Sequence, residues 1–140
     1  MSADNNKVPE YLNQTKFIIL ATINHEVPAV RTLASFASEG LTTYFSTGKS
    51  TAKVEQIHAN PKVTVLFQHE NQDLASYVNV SIVGTANQIT AKEEVDKAIK
   101  LIADRSPNFK ARAENGELVN NIFGRRPRSE SAGFRQRRRP

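Results

Sequence analysis

The residues best suited to chemistry lie in one run, Tyr44-Phe45-Ser46-Thr47-Gly48-Lys49-Ser50-Thr51-Ala52-Lys53. An apolar, strand-like segment ends there, a glycine-containing loop rich in hydroxyls and lysines follows, and helical spacing starts at once. The first N–H groups of a helix have no partner within it and carry partial positive charge, which suits a phosphate. Lys49 and Lys53 add full charges, and Ser50 and Thr51 add hydroxyl donors. A plain capped helix on a polar loop, with Ser50 as N-cap, accounts for the same residues. The GKST tetrapeptide lacks the upstream glycine of a P-loop and its helix is short, which argues against nucleotide hydrolysis.

Little else in the chain could react. His25, His58 and His69 lack metal-ligand spacing, and no metal is expected. There are no cysteines, no nucleophile–base constellation and no paired carboxylates. Any chemistry has to come from a cofactor, with the protein supplying position and electrostatics. Tyr44, Phe45 and Tyr77 read more readily as core or interface aromatics than as stacking groups for a ring.

The elements that must position this run follow from hydrophobic period. A short helical turn is expected over 7–13, then strands at 16–23, 28–37 and 41–47 separated by the turns at 24–26 and 38–40. Residues 50–61 have helical spacing at Val54 and Ile57 and stop at Pro61. Strands return at 63–69 and 76–89, the second interrupted by Gly84, which signals a bulge or a close backbone approach. Thr90 with Glu93 reads as a capping box opening a helix whose apolar stripe is Val95, Ala98, Ile99 and Ile102. Ser106-Pro107 ends it, and 108–122 is a weaker, helix-like piece. Short strands at regular spacing, with few helices between them, predict a mainly β barrel with accessory helices.

Charge divides the chain. Seven arginines against one acid, Glu130, put +6 on residues 124–140, and residues 1–123 carry −1 of the total of +5. Residues 1–123 therefore read as one near-neutral domain of ordinary size and 124–140 as an Arg-rich, disordered tail. Electrostatic contact with RNA or an acidic membrane is a second reading of the tail, and an end truncated or altered in frame is a third. No signal-peptide core and no apolar run of spanning length is visible, so a cytoplasmic protein without a membrane partner is expected.

The stretch VRTLASFASEGLTTYFSTGKSTAKVEQIHANPKVTVLF (30–67), continued by YVNVSIVGTA (77–86), resembles the pyridoxamine-phosphate-oxidase-like FMN-binding split-barrel family. The likeness covers roughly residues 15–105 and consists of five pieces in the right order. They are an arginine ending the second strand, an aromatic third strand closing on a Ser/Thr pair, an S/T-x-K at a helix start, NP before an apolar strand, and a strand reaching a Gly. The resemblance implies a Greek-key-like split barrel that binds FMN, as a homodimer because both subunits line the flavin site in that family. It implies Arg31, Thr51 and Lys53 at the flavin phosphate, Ser46 and Thr47 along the flavin and ribityl chain, and Asn79 where the oxidase has a cofactor-contacting Gln. Ala52 and Phe36 stand where the family usually has Arg and Lys, so either affinity is weaker or Lys49 substitutes. The implied activity is a flavin-dependent redox step on a small molecule, of the general-stress-protein type. A non-catalytic flavin reservoir or sensor, or a relative using the deazaflavin F420, is the alternative. The oxidase's substrate-binding arginine–histidine segment has no counterpart here.

Overall fold

The computed structural model describes residues 8–48, 52–73, 75–115 and 120–138. In chain order the elements are α1 (Val8–Gln14), β1 (Ile18–Asn24), β2 (Val27–Leu33), β3 (Phe36–Glu39), β4 (Thr42–Gly48), α2 (Ala52–Ala59), β5 (Lys62–Gln68), β6 (Ser76–Gln88), α3 (Lys92–Arg105), α4 (Pro107–Glu114) and β7 (Asn120–Arg138). The strands form one antiparallel sheet in the order β2-β1-β5-β6-β7-β4-β3. This is the expected mainly β split barrel.

Closure follows from one connection. The strand expected over 28–37 is in fact two, β2 and β3, which stand at opposite edges of the sheet. Only Ala34 and Ser35 join them, and three Cα steps reach about 11 Å at most. The edges must therefore lie side by side, which forces the sheet to curl. The apolar run hides the break because Leu33 and Phe36 both face the same core.

Inside the curl, alternate residues of β1, β5 and β6 (Leu20, Val65 and Ile82 among them) pack with Phe36, Phe45 and Phe123. The rings of Phe45 and Phe123 stack with centroids 5.6 Å apart. Val54 and Ile57 of α2 join the same core. A second core lies between α3 and α4 and the other face of β3 and β4, where Ala98, Ile102 and Phe109 meet Tyr44 and Ile122. Tyr44 and Phe45 are thus core residues on opposite faces of β4, as the alternation of that strand predicts.

Two expectations change. The Thr90–Glu93 capping box does not form: α3 starts after Ala91, which makes no side-chain cap, while Ser106 does cap α4 by accepting from the Phe109 N–H at 3.3 Å. The disordered tail is also corrected, because residues 120–138 form β7, paired with β4 through 120–125 and with β6 along its length. Arg125 is completely buried, donating to the Leu41 carbonyl at 2.8 Å and to the Thr43 hydroxyl. Burial lowers its pKa to about 10, so it stays charged at neutral pH. The register shifts between Ile82 and Gly84, at the glycine that the sequence marks as a bulge.

The histidines take structural places. His25 is the first residue of the two-residue loop between β1 and β2, with φ of 60°. His58 meets the Phe123 ring edge-on at 6.0 Å, and His69 stacks on Tyr11 at 3.8 Å, fastening α1 to the end of β5. Among the described residues no group of acids and histidines could hold a metal, and no helix is long and apolar enough to cross a membrane.

Candidate functional site

Arg31 on β2 stands directly opposite Leu20 of β1, and Leu20 is fully buried. Directly opposed residues share a face, so the Arg31 side chain is on the barrel side of its strand. Thr22, two residues beyond Leu20 and likewise buried, shares that face. Helix α2 closes over this corner and brings Gln56 to it. The Arg31 guanidinium donates through Nη1 to Thr22 Oγ1 at 2.7 Å and through Nη2 to Gln56 Oε1 at 2.9 Å. The Thr22 hydroxyl in turn donates to Gln56 Oε1 at 2.5 Å.

All these acceptors are neutral. Burial lowers the Arg31 pKa, and no acid offsets it. Lys53, in the first turn of α2, is also lowered, first by burial and then by the positive charge of Arg31. Among the described residues the ion pairs are Lys92–Asp96, Lys97–Glu39 and Arg126–Glu94, and neither Arg31 nor Lys53 takes part. Two half-buried cations therefore repel each other beside the start of a helix, an arrangement that an anion would relieve.

Of the residues proposed from sequence, the structure brings Arg31 and Lys53 together. Lys49, Ser50 and Thr51 lie outside the described residues. Ser46 and Thr47 are buried at the end of β4, on alternate faces. Asn79 is not part of this corner: its neighbour Val80 is buried in the barrel, so Asn79 is on the outer face of β6. Phe36 is buried in the core, so no cation replaces it there. Sequence reasoning missed Thr22 and Gln56. Gln56 had a weak signal, lying three residues after Lys53 and so beside it on the helix.

The family model for pyridoxamine 5′-phosphate oxidase matches residues 5–119. The chain belongs to this family. Solved structures agree on the barrel. A putative pyridoxamine 5′-phosphate oxidase from Listeria innocua superimposes with a TM-score of 0.70 at 20% identity, covering 93% of this chain and 96% of that one. A FAD-binding protein from Mesorhizobium loti gives 0.74 at 19% identity, with 98% and 96% covered. A heme storage protein from Vibrio cholerae gives 0.70 at 16% identity, with 92% and 94% covered. At these identities the likeness is one of fold. No curated protein matches the chain. For this family member, the cation corner lies inside the matched segment, at the step where the sequence pattern placed a phosphate.

Proposed function

We propose that this chain binds a flavin by its phosphate at Arg31 and Lys53, FMN being the unit held there, and that it serves as a flavin-dependent oxidoreductase for a small molecule. The observation that carries the reading is the pair of neighbouring half-buried cations without an acid. The fold family and the FAD-binding neighbour support a flavin over other phosphate ligands. When bound, the isoalloxazine would accept and release a hydride or electrons. The chain's own residues do the rest. Thr22 and Gln56 orient the guanidinium, Lys53 supplies the second charge, and the barrel wall excludes water from one side. The protein purified from cells is expected to absorb in the visible flavin bands and to release FMN on denaturation. A colourless protein that fails to quench added FMN fluorescence, and likewise fails to bind F420, overturns the reading. The lack of cations at positions 36 and 52 favours a second reading, a flavin reservoir without turnover, which predicts the same spectrum and no reduction by small-molecule electron donors.

The homodimer belongs to the same proposal. On the outer face of β1 and β2, Ile19 is 37% exposed and Val30 67% exposed, with Phe17 beside them at 41%. An apolar row of this kind marks an interface. Ile19→Lys is expected to shift the protein from dimer to monomer in size-exclusion chromatography with light scattering; an unchanged dimer rules this face out.

A further inference from the structure

A cleft of about 600 Å³ opens between the tip of the β1–β2 hairpin and helix α2, lined by Ile23, Asn24, His25, Ala52, Glu55, Gln56, Ala59 and Asn60. Its volume falls within the roughly 300–1,000 Å³ of small-molecule sites. The helical wall is one face of α2: positions 52, 55, 56 and 59 recur at the spacing of a single stripe. Two of those four are alanines, which leave the floor open.

The cleft joins the cation corner at Gln56. That side chain spends its carbonyl oxygen on Thr22 and Arg31. Among the described residues its amide nitrogen has no partner, nor is it sealed from solvent. A phosphate at Arg31 and Lys53 would therefore have a free N–H donor beside it, at the mouth of a polar cleft. The remaining lining matches a nucleoside. Glu55 offers a carboxylate of the kind that accepts from ribose hydroxyls. Asn24 and Asn60 offer paired donors and acceptors of the kind that read an adenine edge. His25, held at the rim with φ of 60°, offers a ring N–H to a second phosphate.

We propose that this cleft takes the adenylate half of a flavin dinucleotide, so that the chain prefers FAD over FMN. The inference rests on the flavin reading and extends it by a second subsite. Calorimetric titration of the full chain with FMN and with FAD is expected to show FAD at least tenfold tighter. Ala59→Trp fills the cleft from an exposed position and should remove that preference while leaving FMN affinity unchanged. Glu55→Ala, also at an exposed position, should weaken FAD about fivefold and spare FMN, which keeps the test decisive if the tryptophan variant folds poorly. Equal affinity of the wild-type chain for the two flavins, or an equal loss of both in the variants, overturns the second subsite alone. Failure of either flavin to bind overturns the flavin reading with it.

Discussion

Arg31→Ala is expected to lower flavin affinity by about 10–100-fold with little change in the fold. Hydrogen bonds to a charged group contribute about 1.5–3 kcal/mol, and each ~1.4 kcal/mol is a factor of ten in affinity. Arg31 would make such bonds to a phosphate while already fixed by Thr22 and Gln56, so little ordering cost offsets them. The fold should survive because the truncation removes a cation that no acid balances. Thr22 and Gln56 remain bonded to each other after its loss. Lys53→Met should act in the same direction, and the double variant should lose less than the sum of the two, because each single change also removes the repulsion between the cations. Flavin titration with circular dichroism of each variant checks this. An Arg31→Ala protein that keeps wild-type affinity would remove the phosphate from this corner.

Gly84→Ala is expected to destabilise the barrel by more than about 4 kcal/mol, a drop in Tm of roughly 10–20 °C or outright insolubility. A Cβ at this position would lie 2.1 Å from the carbonyl oxygen of Arg126 and 2.9 Å from its carbonyl carbon. Both are backbone atoms of β7, so relief requires separating β6 from β7. Separation would also unseat Arg125, whose side chain packs 3.1 Å from the same point. Gly124→Ala is the control. Its Cβ would meet the tip of Ile89 at 2.8 Å and the Tyr44 ring at 3.4 Å, and a flexible side-chain tip can move aside. That change should cost about 1 kcal/mol. Thermal unfolding of the pair decides the matter: equal Tm values would mean that β7 does not approach Gly84 as placed.

Much of the barrel was legible from local pattern because β1, β5 and β6 each have one buried face, and period-two alternation reports that directly. Leu20, Val65 and Ile82 are read as inward before any pairing is known, and they prove to be neighbours across three strands. The bulge at Gly84 was legible for a similar reason, since a glycine within a β-branched run has little use other than a close approach.

Long-range contacts decided the rest. The break at Ala34–Ser35 is invisible in an unbroken apolar run, because only sheet closure asks β2 and β3 to face each other across a gap. Residues 124–138 have the composition of a disordered end, yet pairing with β6 and β4 supplies the hydrogen bonds that make them a strand. Strand formation depends more on such context than on intrinsic preference. The phosphate corner shows both sides. Sequence alone determined that Arg31 and Lys53 were the cations to watch and that a helix begins beside them. Tertiary structure alone decided that Arg31 reaches Thr22, nine residues away, and Gln56, twenty-five away, and stands next to Lys53 with no acid between them. Residue type reports which charges exist, whereas burial and the choice of partners decide which of them are left without a counter-charge.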